Sequence, residues 1–173
     1  MDRKLLEQYM RDLQGGDLNA LDGIYGIMSK GVYLSAYSIL RGTERAKDVM
    51  QETFLKLAAN IGQYRENTNA AAWILTIARN LSYREYRAGK RNVGSEDFDG
   101  GAGESDERLW AENIALNDAL GRLSAEEREI VTLFAVGGYK YRELARITGR
   151  PMGTVQWIYH RAIKKMKRFM EEE

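Results

Sequence analysis

The chain has no cysteine, which excludes disulfides, thiolate metal sites and a thiol nucleophile. Its single histidine, His160, rules out a multi-histidine metal centre and leaves little for general-base catalysis near neutrality. Pro151 is the only proline in 173 residues, so long stretches carry no helix breaker. No apolar run approaches the length of a membrane span, and the opening MDRKLLEQYM lacks the apolar core of a signal peptide. Carboxylates are plentiful, yet none is paired in the sequence with a metal ligand, nucleophile or base. These absences predict a cytoplasmic protein with no membrane insertion, no metal, no cofactor and no catalytic residues.

A net charge of +1 conceals a strongly uneven distribution. The segment RNLSYREYRAGKRN, residues 79–92, carries Arg79, Arg84, Arg87, Lys90 and Arg91 against Glu85 alone. The next fifteen residues, VGSEDFDGGAGESDE, hold six acidic side chains and no basic one. The charge turns positive again at Arg161, Lys164, Lys165, Lys167 and Arg168. Two basic helices with an acidic spacer between them cancel in the sum, while each can face a polyanion.

Apolar residues recur with helical period along most of the chain. A first helix over residues 2–14 gathers Leu5, Leu6, Tyr9, Met10 and Leu13 on one side. Gly15–Gly16 breaks it, and Asp17 is suited to cap a second helix over about residues 18–40. That helix repeats Leu21, Ile24, Met28 and Val32, and its glycines imply close helix–helix contact. Thr43 is the expected cap of a third helix to about Ile61, with Val49, Met50, Phe54, Leu57 and Ile61 as its core stripe. A fourth runs from about Ala70 to about Lys90, with Ile74, Ile77, Ala78 and Leu81 inward. Periodicity then stops over residues 93–106, which read as a flexible acidic, glycine-rich linker. Helices resume near Glu107, with Trp110 and Ile114 as anchors, and Ser124 and Glu127 form a capping box. No segment alternates as a strand would. The prediction is an all-α chain of two small helical domains, 1–92 and 107–173, joined by that linker.

The C-terminal part has the plan of a helix-turn-helix: a short helix over Tyr141–Thr148, a turn at Gly149 and a second helix after Pro151. Leu144, Ala145 and Val155 would pack inside the motif. In such a motif the start of the second helix enters the major groove. Arg150, Met152, Thr154 and Gln156 lie near that tip; glutamine can bond adenine bidentately and methionine can pack on a thymine methyl. Arg161, Lys164 and Lys165 suit phosphates, with His160 beside them. Val155, Ile158, Ala162, Ile163 and Met166 read as core, while Trp157, with Tyr159, competes for the outward positions and can also pack.

Two outward faces emerge from the N-terminal part. Asp48, Gln51, Glu52 and Leu55 share one side of the third helix, an acidic patch with an exposed leucine. Arg79, Asn80, Tyr83, Arg84 and Arg87 share one side of the fourth, and between them lies the polar loop GQYRENTNAAAW ending at Trp73. Aromatics, amides and arginines in this mixture can stack on and bond to unpaired bases.

The runs AKDVMQETFLKL (46–57) and YRENTNAAAWILTIARNLSYREYRAGKR (64–91) resemble region 2 of bacterial RNA polymerase sigma factors, in the extracytoplasmic-function group. The run LSAEEREIVTLFAVGGYKYRELARITGRPMGTVQWIYHRAIKKMK (123–167) resembles their region 4. The order and spacing match, so the resemblance covers most of the chain. It implies that Asp48, Gln51, Glu52 and Leu55 dock on the clamp helices of the polymerase's largest subunit, with the flap as a further contact on the polymerase core. It implies that the loop from Gln63 through Tyr64, Arg65 and Asn67 to Asn69 captures an everted base of the −10 element. Trp73, Arg79, Asn80, Tyr83, Arg84 and Arg87 then match the helix that holds and melts the promoter. Arg150, Met152, Thr154, Gln156, His160, Arg161 and Lys164 fall in the −35 reading helix. An anti-sigma factor is the implied regulatory partner, and the acidic linker fits a path towards the RNA exit. Three positions depart from the family's habit: Lys140 stands where a capping serine is common, Thr148 replaces a leucine, and Gln156–Trp157 replace a lysine–serine pair.

The rival is a helix-turn-helix regulator that binds operator DNA without polymerase, which would need symmetric half-sites. A helical interaction protein with no DNA role is the third class, and it should tolerate neutralising Arg84, Arg87 and Lys164 together.

Overall fold

The computed structural model describes residues 1–92, 114–135 and 137–171, and every regular element among them is helical. The helices are α1 (Arg3–Gln14), α2 (Ala20–Leu40), α3 (Thr43–Asn60), α4 (Ala70–Asn92), α5 (Ile114–Gly121), α6 (Ala125–Ala135), α7 (Tyr141–Thr148) and α8 (Met152–Glu171), with one 3-10 turn at Ile61–Gln63. The expected linker at 93–106 and the anchor Trp110 lie outside the described residues.

Local chemistry sets most of the boundaries. Asp2 caps α1, its Oδ1 accepting from the Lys4 and Leu5 amides at 3.1 Å each. Asp17 turns back onto the Asn19 amide at 3.0 Å, so α2 begins at Ala20, two residues later than expected. The N-cap of α3 is Gly42, and Thr43 is already helical and buried. The Ser124 capping box forms in both directions: Ser124 Oγ accepts from the Glu127 amide at 3.2 Å and Glu127 Oε2 from the Ser124 amide at 3.0 Å. At α7 only half of such a box exists. Lys140 has no acceptor to offer, while Glu143 Oε2 accepts from the Lys140 amide at 3.0 Å.

The first four helices enclose Met10, Ile24, Met28, Leu57, Ile74 and Leu75, all fully buried. Each such side chain contributes roughly 1.5–3 kcal/mol on burial. Gly23 is what lets α1 lie against α2, because a Cβ there would sit 2.5 Å from the Tyr9 ring. In the C-terminal part Leu144 and Val155 close the helix-turn-helix, and Gly149 makes the turn at φ 68°.

The two halves pack directly on each other. Ile24, Met28 and Val32 of α2 belong to the same buried cluster as Ile130 and Leu133 of α6, together with Tyr139 and Leu144. Helix α6 crosses α2, and α7 crosses α4. Every residue of α6 from Glu127 to Leu133 is buried, three consecutive charged ones included. Among them Arg128 donates to the Ser38 carbonyl in the last turn of α2. It also donates to the Leu120 and Leu123 carbonyls at the end of α5, at 3.3 and 3.1 Å. One guanidinium thus caps helices from both halves. Its burial, and the nearby Arg41, lower its pKa to about 10.

Candidate nucleic-acid interface

Helix α4 is long enough to present two different faces. One face, with the end of α3, walls an open groove of about 580 Å³ that brings together Gln63, Trp73, Asn80, Arg84 and Arg87 with Lys56 and Asn60. Five of the sequence-predicted residues therefore meet in one place. Asn80, Arg84 and Arg87 are exposed, and Trp73 is half-buried against Tyr64 at 5.3 Å between ring centroids. Amide and guanidinium donors beside an indole edge form a surface that can hold unpaired bases and their phosphates. Arg84 also meets Glu52 of α3 at 2.8 Å, which ties the acidic face to the groove.

The loop before α4 is shaped by two asparagines. Asn67 (φ 61°) and Asn69 (φ 84°) take positive φ, which asparagine tolerates better than most residues. Asn69 Oδ1 then caps α4 by accepting from the Ala72 amide at 3.0 Å. Arg65 and Asn67 stand exposed on this loop. Tyr64 does not: it is 3% exposed, and its hydroxyl donates to Glu7 at 2.7 Å. The expectation that Tyr64 touches DNA is corrected. Its ring fills the core, burial and Glu7 hold its pKa well above the usual phenol value, and it anchors the loop beneath Trp73.

The other face of α4 looks at the C-terminal half. Glu129 of α6 has no exposed surface, and its Oε2 accepts from Arg79 Nε at 3.2 Å and Tyr83 Oη at 3.1 Å. Asn69 Nδ2 donates to Glu143 Oε1 at 3.2 Å, where Arg3 also lies at 2.6 Å. The sequence-predicted set is therefore shared between two surfaces: Arg79 and Tyr83, though bonded to Glu129, also line a second open pocket of about 320 Å³ with Asn80 and Arg87, while Asn69 turns to Glu143. Arg128, Glu129 and Glu143 were not foreseen in this role. Four consecutive charged residues, Glu126–Glu129, open α6, and nothing in that run separates the buried ones from a solvated first turn.

Electrostatics separates the three buried glutamates. Burial raises the Glu129 carboxyl to about 7, and Arg79 and Tyr83 offset this only in part. Its Oε1, though 3.0 Å from Arg79 Nε, makes no properly directed hydrogen bond. Burial acts in the same upward direction on Glu127 and Glu143. It is outweighed at Glu127 by Lys165, the Ser124 amide and Arg161, and at Glu143 by the Lys140 amide, Arg3 and Asn69. Both sit below the ordinary carboxyl value. A raised folded-state pKa means that the folded chain binds the extra proton. Glu129's contribution to stability is thus full below pH 4.5 and falls as pH rises through about 7. The groups facing it are Arg79 and Tyr83 from α4 and Glu126 from its own helix. Relative to a Glu129→Gln chain, the parent should lose a few degrees of melting temperature across that window. A difference that stays flat with pH would contradict this assignment.

On α8, Met152, Trp157, His160, Arg161 and Lys164 are exposed, and Thr154 and Gln156 are half-buried. Val155, Ile158, Ala162 and Met166 are buried, and Ile163 is partly so. Trp157 takes the outward of the two places open to it. It is 58% exposed rather than packed, and the Arg161 guanidinium lies over its ring at 4.3 Å from the centroid. Arg161 also donates to Glu127 at 2.9 Å, while Arg150 pairs with Glu126 at 2.9 Å. The helix thus presents an aromatic surface edged by basic side chains, with no group of three or more His, Cys, Asp or Glu fit to hold a metal among the described residues. No helix of the described residues is long and apolar enough to cross a membrane.

The chain thus sets side by side two helical modules, one carrying the polar groove along α4 and the other a helix-turn-helix. Residues 28–92 match the family model for sigma-70 region 2, and residues 113–166 that for sigma-70 region 4. The chain is 33% identical over 136 residues to the ECF RNA polymerase sigma factor EcfG of Rhodopseudomonas palustris, covering 76% of this chain and 74% of that one. It is 29% identical over 180 residues to the ECF RNA polymerase sigma factor BldN of Streptomyces coelicolor, covering 99% and 68%. Among solved structures it resembles the sigma factor RpoE of Bartonella quintana in complex with the anti-sigma factor NepR. That match has a TM-score of 0.72 at 26% identity and covers 87% of this chain and 96% of that one. The chain belongs to the extracytoplasmic-function group of the sigma-70 family, and its function is to direct RNA polymerase to promoters. Catalysis belongs to the polymerase, and the alternative of an operator-binding regulator without polymerase is set aside.

Proposed function

We propose that this factor works through three surfaces. Asp48, Gln51, Glu52 and Leu55 on α3 dock on the clamp helices of the polymerase's largest subunit, and the C-terminal module meets the flap. The groove at Gln63, Trp73, Asn80, Arg84 and Arg87, with Arg65, Asn67 and Asn69 on its loop and Arg79 and Tyr83 alongside, holds the unpaired −10 strand. Arg150, Met152, Thr154, Gln156, Trp157, His160, Arg161 and Lys164 read the −35 duplex. The observation that carries this reading is the groove itself, where an indole edge, three amides and two guanidiniums converge in about 580 Å³.

Holding bases that have left the stack shifts the melting equilibrium, since each stacked base contributes about 1–3 kcal/mol. Two weak sites on one chain bind together far better than either does alone, so little promoter selectivity is expected without polymerase. The modules proposed span residues 1–92 and 107–173, with 93–106 between them. The solved relative is bound to an anti-sigma factor, and we extend that partner class, and a cytoplasmic location, to this chain.

Leu55 is 71% exposed, so its replacement leaves the fold intact. Leu55→Asp should weaken association with core polymerase about 10-fold or more, as loss of a central apolar anchor does. Fluorescence anisotropy against purified core checks this, and unchanged affinity would remove α3 from the docking surface.

A further inference from the structure

We propose that Glu127 is a positioning residue for promoter reading: it holds Arg161 by one edge of the guanidinium and so commits the other edge to a guanine of the −35 element. This rests on the assignment of α8 to the −35 duplex. A guanidinium offers two bidentate edges, Nε with Nη2 along its side and Nη1 with Nη2 at its end. Glu127 Oε1 lies 2.9 Å from Arg161 Nε, which donates to it, and 2.9 Å from Nη2. The side edge is therefore occupied, and the end edge is left for a partner with two acceptors. Guanine presents such a pair, O6 and N7, in the major groove.

The carboxylate sets the geometry because it cannot follow the arginine. Its side chain is buried in the first turn of α6. Its Oε2 accepts from the Ser124 amide at 3.0 Å, and Lys165 Nζ donates to both oxygens at 2.8 and 3.0 Å. Arg161 stays 43% exposed, with its guanidinium carbon 4.3 Å from the centre of the Trp157 ring. An edge on a fixed carboxylate and a face on an indole leave the guanidinium plane little freedom. The side-chain entropy that base binding would otherwise cost is thus already lost in the free chain. The same contacts make Arg161 a poor general phosphate contact, because Glu127 offsets its charge and engages Lys165 as well. Arg150 has no such anchor, since its pair with Glu126 stands open to solvent.

The test uses holoenzyme assembled from core polymerase and the full chain, on a promoter that the parent uses. Each position of its −35 element carries each base in turn, and run-off transcript gives the base preference at every position. The parent should favour guanine about 10-fold at one position, and Glu127→Ala and Arg161→Lys should each reduce that preference to about 2-fold or less. Lysine keeps the charge and loses the fork, an exchange that a phosphate contact would tolerate. Glu127→Gln retains an acceptor for the side edge and for the Ser124 amide, so its preference should lie between parent and alanine. It carries the comparison should Glu127→Ala not reach parent-like helicity by circular dichroism. A merely structural Glu127 would lower transcript by one factor on all templates and leave the ratio between bases unchanged, which overturns the proposal. So does a guanine preference that survives Arg161→Lys, or a −35 element in which guanine is favoured nowhere. A parent indifferent to every base of that element would overturn the −35 assignment itself rather than this inference alone.

Discussion

An Arg128→Ala chain should melt about 6–12 °C below the parent, the shift expected of a ~3 kcal/mol loss in a chain of this size. Arg128 is 7% exposed and faces the Ser38, Leu120 and Leu123 carbonyls, which end α2 and α5. The last carbonyls of a helix have no intrahelical partner and carry its negative dipole end, so a buried cation there satisfies both needs. Truncation takes the guanidinium away from the Ser38 and Leu123 carbonyls, while Leu120 keeps the Leu123 amide at 3.2 Å, and the cost of an orphaned buried group exceeds the modest net gain of a made bond. Arg128→Lys should fall between the two, since one ammonium cannot reach three divergent carbonyls as a planar fork does. Thermal unfolding by circular dichroism measures the series. An alanine variant that melts with the parent would show that this cap contributes nothing.

The second large effect concerns α8. Trp157→Ala should lower initiation about 10- to 100-fold at promoters used by the parent, the range expected for loss of about 1–3 kcal/mol at a base contact. The indole is 58% exposed at the centre of a face shared with His160, Arg161 and Lys164, and Arg161 lies across it. Its exposure means that truncation removes surface chemistry without opening a core cavity. Melting temperature should therefore stay at the parent value while run-off transcript falls. Templates with an altered −35 element should no longer distinguish variant from parent. If transcript is unaffected on every parental promoter, Trp157 does not face DNA.

Much of the fold was legible because helical period, capping residues and glycines act locally. The Ser124 box, the Gly149 turn and the Ile74–Leu81 stripe depend on neighbours a few residues away, and they formed as expected. Asp17 missed by two positions because Asp17 and Asn19 both stand near the helix start, and Thr43 by one because Gly42 takes the extended N-cap conformation. The packing of the two halves was not legible at all. Nothing local to Glu129 names Arg79 as its partner fifty residues away, and a buried carboxylate looks like a solvated one until its surroundings are known. Tyr64 erred, and Trp157 stayed open, for the same reason. An aromatic is at home in a core or on a binding face, and only the tertiary neighbours, Glu7 for one and open solvent for the other, decide between them.

Transcription from genomic DNA by purified core polymerase, with and without this chain, followed by mapping of the RNA 5′ ends, bears most directly on the whole account. New start sites should appear only when the chain is present, each downstream of the same asymmetric pair of elements near −35 and −10. Identical start sites in both reactions, or new ones preceded by a symmetric repeat, would contradict it.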